Sequence, residues 1–293
     1  MNIPVYIRRR FGLVATVIAC AVSAPVLASE SVHLDKFPTE KMQSMPALQD
    51  GARTFVNYCL NCHSASMMRF NRLQDIGLTD EQISGSLQFT EGRVGDLMKV
   101  AMRHEDGKAW FGAAPPDLSV EARARASESG SGADWIYTYL RSYYRDGSRE
   151  TGWNNAIFPN VGMPNPLWQW QGMRGAVEER VAPVTDEATG KVTGWTKTTI
   201  TYDREGNKSE KVEKVDGDGL HEGTHFTLGT PEGGTLSQAE FDDKVANLVA
   251  FMKFMSDPSA STRGRLGIWV LLFIAVFVGC SWWLNREYWK DVK

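Results

Sequence analysis

Cysteine is scarce in this chain, with four residues in a length of 293. Cys20 lies in an apolar N-terminal run, and Cys280 lies in a second apolar run near the C-terminus. Only Cys59 and Cys62 remain for the long polar stretch between these runs. A single pair of cysteines this close together excludes a disulfide framework, and a structural zinc site built from two cysteine pairs is excluded as well.

The chain also lacks an excess of basic residues, having 32 Lys and Arg against 35 Asp and Glu. Residues 1–28 contribute three basic residues, and residues 263–293 contribute five basic and two acidic ones. The remaining residues 29–262 therefore hold 24 basic and 33 acidic residues, a net charge of −9. This sign of charge argues against nucleic acid as a partner and favours a basic protein, although excess acid also keeps a domain soluble.

The N-terminus has the pattern of a secretory signal peptide. Arg8, Arg9 and Arg10 precede an apolar run over residues 11–22, and small residues end at Ala28. This pattern predicts a signal peptide over residues 1–28. The arginines also resemble a twin-arginine signal, and residues 17–20 resemble a lipoprotein cleavage box, so the export route and the cleavage site stay open.

Residues 267–284 form an uncharged run of 18 residues. As a helix rising about 1.5 Å per residue it would extend about 27 Å, close to the thickness of the hydrocarbon core of a membrane. Trp269 lies near one end and Trp282 and Trp283 near the other, as interfacial residues do. The run predicts one transmembrane helix, and the signal peptide then leaves residues 285–293 as a cytoplasmic tail.

Between the two apolar runs the residue pattern mainly predicts helices. Residues 46–171 alternate helical stretches with Gly- and Pro-rich loops, whereas residues 174–235 have few large apolar residues. Polar and apolar residues alternate around Trp195, which predicts a small β-hairpin or meander inserted in a helical domain. Ser237 and Glu240 then form a capping box for an amphipathic helix that reaches Asp257.

Cys59-Leu60-Asn61-Cys62-His63 matches C-x-x-C-H, the pattern of covalent haem attachment. Two thiols at this spacing can each add to one vinyl group on the same edge of a porphyrin, and the following imidazole then reaches the iron. A thioredoxin-like dithiol would leave the histidine unexplained. The pattern therefore predicts a haem held by Cys59 and Cys62 with His63 as an iron ligand.

The iron of such a haem either takes a second axial ligand or has a vacant coordination position opposite the histidine. Met163 lies in a loop over residues 160–166 that two prolines stiffen and in which Gly162 permits a close backbone approach. A rigid loop far from His63 along the chain can supply a ligand to the opposite haem face. Met163 is therefore the favoured second ligand.

His104 and Met102 remain alternatives for the second ligand on the residues alone. Met98 and Met102 are four positions apart, so a helix over this segment would place both on one face, where core packing is the ordinary role.

His221-Glu222-Gly223-Thr224-His225 matches H-E-x-x-H, the pattern of zinc metalloproteases. That pattern requires a helix, which brings both histidines to one face. Glycines crowd this segment, so we interpret it as a polar loop without catalytic zinc.

Four features together resemble the cytochrome c1 family, the haem subunits of bc1 complexes. The Pro-Pro-Asp-Leu-Ser segment is far more specific than the haem attachment pattern. The resemblance covers most of residues 30–293 and is weakest over residues 174–235. The four features are the run from Cys59 to His63, Gly112-Ala113-Ala114-Pro115-Pro116-Asp117-Leu118-Ser119, Gly162-Met163-Pro164 and the single C-terminal apolar helix.

The resemblance implies a mainly α fold with an exported c-type cytochrome domain over residues 29–262. That domain would contain the small β insertion and would be followed by one C-terminal transmembrane helix. One covalently bound haem c would have His63 and Met163 as its axial ligands.

Further haem contacts follow from the same resemblance. Pro115 and Pro116 would pack at the haem edge, Arg125 would pair with a haem propionate, and Trp135 would lie near the haem. An ordinary solvated helix charge is the alternative reading for Arg125.

The function that the resemblance implies is one-electron transfer from a Rieske iron–sulfur protein to a soluble or membrane-bound cytochrome c. A cytochrome b subunit would oxidise the quinol, so this chain alone is a carrier. The expected place is a dimeric complex of the bacterial inner membrane, with the haem domain in the periplasm. The alternative is a membrane-anchored cytochrome c feeding a terminal oxidase or nitric oxide reductase; a haem-based sensor would need an output module, and none is visible in the sequence.

Overall fold

Helices build the body of the chain in the computed structural model, which describes residues 33–89, 92–186, 191–215 and 220–290. The predicted fold class is confirmed: a mainly α chain carries a small antiparallel sheet and ends in a long apolar helix. The predicted signal peptide and the last three residues of the predicted tail lie outside the described residues. The α-helices are α1 Met45–Thr54, α2 Asp80–Ser86, α3 His104–Phe111, α4 Glu121–Ala124, α5 Gly132–Leu140, α6 Trp168–Gln171, α7 Gln238–Ser256 and α8 Ala260–Tyr288. The strands are β1 Ala65–Arg69, β2 Leu97–Met98, β3 Tyr143–Arg145, β4 Trp153–Asn155, β5 Ala176–Thr185, β6 Val192–Tyr202, β7 Lys208–Val215 and β8 Gly223–Leu228.

Helix α7 lies in the core, and most of its residues are buried there. It begins at the predicted capping box, where the Ser237 hydroxyl accepts from the Glu240 backbone N–H and the Glu240 carboxylate accepts from the Ser237 backbone N–H. Helix α1 packs closely against it at Gly51, where an added Cβ would overlap the Asn247 carbonyl. This close packing fixes α1, and α1 leads directly into the cysteine motif.

Two short antiparallel sheets, β1 with β2 and β3 with β4, lie in the helical body. Met98 was expected on a helix with Met102, and this prediction is wrong. Met98 pairs with Ala65 across β1 and β2, and its side chain is fully buried in the core. The spacing of the two methionines is therefore not a helical spacing.

Strands β5 to β8 form a four-stranded antiparallel sheet in the order β7-β6-β5-β8. The first three strands form the predicted meander, and a turn at Gly206 with φ of 94° joins β6 to β7. The connection between β5 and β6 over residues 187–190 lies outside the described residues. The sheet packs on the helical body through a small cluster of Tyr144, Ala176, Ile200 and Tyr202.

Strand β8 corrects the interpretation of residues 221–225 as a loop. Gly223, Thr224 and His225 are extended, and His225 lies opposite Glu179 of β5. Neighbouring strand backbone, rather than the local composition, determines this conformation. Residues 223–225 therefore lie in a strand and not in the helix that the H-E-x-x-H pattern requires.

Helix α8 extends beyond the predicted span of residues 267–284 at both ends. Its segment Thr262–Tyr288 is long and apolar enough to cross a membrane: the most apolar 18-residue stretch within it has a mean hydropathy of 2.1, and none of that stretch is buried against the rest of the protein. These 27 residues extend about 40 Å at roughly 1.5 Å per residue, more than a hydrocarbon core of about 30 Å needs. Arg263 near its start pairs with Asp257 at 2.7 Å.

Candidate haem site

A cavity of about 310 Å³ lies beside α5 and α7 in the helical body. Its walls are mostly apolar, as is usual for cofactor sites of roughly 300–1,000 Å³. All eight residues singled out in the sequence line it: Cys59, Cys62, His63, Pro115, Pro116, Arg125, Trp135 and Met163.

The cysteine motif reaches the cavity through a π-helical turn, Phe55–Cys59, which continues α1. The turn goes on past its end, since the backbone N–H groups of Cys62 and His63 both donate to the Cys59 carbonyl, at 3.1 and 2.9 Å. Cys59 is buried and Cys62 half-buried, and both are free thiols. One rigid turn therefore brings both thiols and the imidazole to the same cavity.

The His63 side chain has a defined proton arrangement. Its Nδ1 lies 2.7 Å from the Pro116 carbonyl oxygen, and a carbonyl can only accept, so Nδ1 carries the hydrogen. Burial lowers the pKa of His63, which favours the neutral ring. A neutral imidazole with a protonated Nδ1 leaves Nε2 as a lone-pair donor for a metal.

The Pro115–Pro116 segment is held against β1 by Asp117. The Asp117 carboxylate accepts from the Ser66 backbone N–H at 2.8 Å and hydroxyl at 2.6 Å, and from the Ser119 backbone N–H at 2.8 Å. Burial opposes the charge, yet these hydrogen bonds hold the pKa of Asp117 below its ordinary value. The polar residues after the two prolines thus fix the Pro116 carbonyl that orients His63.

The loop that carries Met163 is fixed by its backbone. An added Cβ at Gly162 would lie 2.5 Å from the Phe111 carbonyl oxygen, so the close approach expected of this glycine is present. Asn160 has φ of 62°, a left-handed conformation that asparagine tolerates better than most residues. The Arg149 guanidinium donates to the Asn160 side chain and carbonyl, at 3.2 and 3.0 Å. The loop is therefore built to hold one geometry.

The alternative ligands lie elsewhere. His104 is exposed at the start of α3, and Met102 is half-buried just before that helix. Neither of them is among the residues that line the cavity, whereas Met163 is.

Arg125 and Trp135 form a stacked pair at the cavity. The Arg125 guanidinium lies 4.5 Å from the centre of the Trp135 ring, and its Nε donates to Glu121 at 2.5 Å. Within the described residues its two Nη groups make no hydrogen bond that would consume them. Arg125 is thus held at the cavity wall by its stacking on Trp135 and its ion pair with Glu121.

Sequence reasoning missed several lining residues, above all Tyr139. Its ring stacks on Trp135 with centroids 4.8 Å apart and planes at 13°, and its hydroxyl lies 3.6 Å from the Met163 sulfur. The signal was present, because Tyr139 follows Trp135 by four residues and so shares its helix face. Other missed residues of the wall are Tyr58, Phe111, Phe158 and Met252.

The donor set fits a c-type haem. One imidazole nitrogen, one thioether sulfur and two thiols meet in an apolar cavity, and soft sulfur with imidazole is a set that suits iron. Among the described residues there is no group of three His, Cys, Asp or Glu that could hold a bare metal ion.

Comparison with known proteins agrees with this chemistry. A model of the Cytochrome C1 family matches residues 37–174, which include all eight cavity residues named above. The chain is 39% identical over 272 residues to a protein named ammonia monooxygenase gamma subunit from Nitrosomonas europaea, covering 92% of this chain and 94% of that one. It is 34% identical over 281 residues to cytochrome c1 of Allochromatium vinosum, covering 96% and 98%. It is 24% identical over 309 residues to cytochrome c1 of Rhodospirillum rubrum, covering 96% and 97%. The chain therefore belongs to the cytochrome C1 family.

Proposed function

We propose that this chain is the haem-bearing electron-transfer subunit of a bc1-type ubiquinol–cytochrome c reductase. It takes electrons from a Rieske iron–sulfur protein and passes them to a soluble or membrane-bound cytochrome c. The observation that carries the proposal is the apolar cavity in which Cys59, Cys62 and His63 meet Met163.

Family membership implies a covalently bound c-type haem. We assign one haem to the cavity: Cys59 and Cys62 would hold it covalently, and His63 Nε2 and Met163 Sδ would ligate its iron. When bound, the haem supplies reversible one-electron exchange at its iron.

The chain's own residues set the conditions for that exchange. The Pro116 carbonyl orients His63, and the apolar walls exclude water from the cavity. A thioether from Met163 would favour ferrous over ferric iron and so would keep the reduction potential high, as an acceptor for a Rieske cluster requires. Arg125 would direct its free donors at a propionate, and Trp135 and Pro115 would contact the ring.

The topology forms part of the same proposal. A signal peptide over residues 1–28 exports the haem domain of residues 29–262 to the periplasm, and α8 anchors it in the bacterial inner membrane. Residues 285–293 then face the cytoplasm. The partners are a cytochrome b subunit, a Rieske protein and a cytochrome c acceptor, in a dimeric complex.

The test is to solubilise membranes in mild detergent, isolate the chain through a C-terminal tag, identify its subunits and assay quinol–cytochrome c reductase activity. Cytochrome b and a Rieske protein should co-purify in equal amounts with this chain. Recovery with the subunits of a terminal oxidase or a nitric oxide reductase instead would establish the alternative function.

The name of the Nitrosomonas relative supports a second candidate, a subunit of an ammonia monooxygenase. The same purification separates the two, since recovery of monooxygenase subunits without cytochrome b would favour that candidate. The cavity in the helical body would serve electron transfer in either the bc1-type complex or the monooxygenase.

A further inference from the structure

Two tyrosines lie in a row behind Met163. The Tyr139 hydroxyl lies 3.6 Å from the Met163 sulfur, and the Tyr143 hydroxyl lies 2.7 Å from that of Tyr139. Tyr143 is fully buried, and Tyr139 is 9% exposed. A buried hydroxyl must find a partner, so these three groups satisfy one another.

The direction of the hydrogen bonds follows from the sulfur. A thioether has no hydrogen and can only accept, so Tyr139 gives its one hydroxyl hydrogen to Met163. The Tyr139 oxygen is then free to accept, and Tyr143 donates to it. The hydroxyl hydrogens of both tyrosines therefore point in the same direction along this pair of hydrogen bonds, toward the Met163 sulfur.

Packing fixes the rings of Tyr139 and Tyr143, so their hydroxyl groups cannot turn away from the Met163 sulfur. Tyr139 is stacked on Trp135 and meets the edge of Phe158 with centroids 6.3 Å apart. Its backbone carbonyl accepts from the Asn155 amide at 2.8 Å, and its ring packs edge-on against Tyr143. The pair is held by packing and does not depend on the hydrogen bond for its position.

We propose that Tyr139, polarised by Tyr143, is a positioning residue that raises the reduction potential by withdrawing electron density from the Met163 sulfur. The inference rests on the proposed function, in which Met163 is an axial ligand. A hydrogen-bonded sulfur donates less to ferric iron, so the ferrous form gains. Donation from Tyr143 strengthens the effect, because linked hydrogen bonds polarise one another.

The test uses the full chain in its detergent-solubilised complex, with the variants Tyr139→Phe and Tyr143→Phe. Tyr137→Phe is the matched control: it lies on the same helix, but its ring packs on Arg141 and Phe37, away from the cavity. Tyr139→Phe should shift the ferrous-to-ferric equilibrium two- to tenfold toward ferric, a fall in midpoint potential of about 20–60 mV at roughly 59 mV per tenfold change. Tyr143→Phe should lower it less, and Tyr137→Phe should not change it.

Spectra distinguish this role from a structural one. The weak long-wavelength absorption band of a ferric haem with a methionine ligand should persist in all three variants, since the ligand stays. An unchanged or raised potential in Tyr139→Phe would overturn the inference. If Tyr139→Phe fails to retain haem, Tyr143→Phe decides the matter, because its hydroxyl does not touch Met163: a lowered potential supports the inference and an unchanged one overturns it.

Met163→Leu, measured in parallel, separates failure of this inference from failure of the ligand assignment. If Met163→Leu keeps the absorption band, Met163 is not the ligand, and both the ligand assignment and the tyrosine inference are wrong. If the band is lost there while Tyr139→Phe keeps the wild-type potential, only the tyrosine inference falls.

Discussion

Met163 is the proposed ligand that the spacing of residues secures least, yet its loop is held by the close approach at Gly162 and by the hydrogen bonds from Arg149 to Asn160. Met163→Leu should lower the midpoint potential, because the remaining ligand set no longer favours ferrous iron through a soft sulfur. The reduced protein should also bind carbon monoxide at the open position. Redox titration and carbon monoxide difference spectra measure both effects, and the haem should stay attached because Cys59 and Cys62 are unchanged.

Met102→Leu is the control for that substitution. Met102 is a half-buried methionine outside the cavity wall, so its replacement should leave the potential and the carbon monoxide behaviour as they are. The reverse pattern, with Met102→Leu changing both and Met163→Leu changing neither, would transfer the ligand role to Met102.

The start of α5 carries a buried carboxylate that ties the helix to the beginning of the domain. Asp134 accepts from the Phe37 backbone N–H at 2.8 Å and from the Ser131 hydroxyl at 2.8 Å. Burial opposes the charge, but the hydrogen bonds from Phe37 and Ser131 hold the pKa of Asp134 below its ordinary value. Since α5 supplies Trp135 and Tyr139 to the cavity, this cap also supports the site.

A depressed pKa makes that support dependent on pH. The stabilisation is fully present above the unfolded-state pKa of Asp134, near 3.8, and is lost as the pH falls through the lower folded-state value. Asp134→Asn should therefore lower the unfolding free energy by about 1 kcal/mol at neutral pH, and the difference from wild type should shrink on acidification. Thermal unfolding at several pH values measures this, with the surface substitution Asp75→Asn as the control. A difference that is constant with pH would show that the carboxylate charge is not the stabilising feature.

Local patterns predicted helices α7 and α8, because the causes of these two helices are local. The capping box at Ser237 and the apolar run of α8 each depend on residues within a few positions. Strand β8 and the position of Met98 could not be predicted in this way, since each depends on a strand distant in sequence. The same holds for Tyr139: its helix face was visible, but its contact with Met163 depends on how a loop 24 residues later folds back.

The junction of α7 and α8 predicts where the chain can be cut. Helix α7 ends at Ser256 with its last turn closed by the Asp257 backbone N–H, and α8 begins at Ala260. A chain ending at Ser259 should be soluble after removal of the signal peptide and should keep its haem, because no cavity residue lies beyond α7. It loses the Asp257–Arg263 pair, whose arginine is exposed and which contributes little to stability.

Fractionation of cells by ultracentrifugation measures the outcome, and a chain ending at Trp289, which retains α8, is the matched control that should remain in the membrane. Membrane retention of the shorter chain would show that a surface of the haem domain, and not α8, anchors it.

The whole molecule carries its acidic excess in the domain that would meet an electron acceptor. Residues 29–262 have 24 basic and 33 acidic residues, whereas the two ends of the chain have more basic than acidic residues. If this charge steers a basic cytochrome c, the bimolecular electron-transfer rate should fall as salt is raised, since the Debye length is about 10 Å at 0.1 M and shorter above it. Stopped-flow oxidation of the reduced complex over a series of salt concentrations measures how steeply this rate depends on salt.

A small anionic oxidant is the control of opposite sign, because repulsion by the same surface should make its rate of reaction rise with salt. A flat dependence for the cytochrome with a rising one for the anion would mean that the acceptor docks on a patch without net charge, and that the acidic excess serves solubility alone.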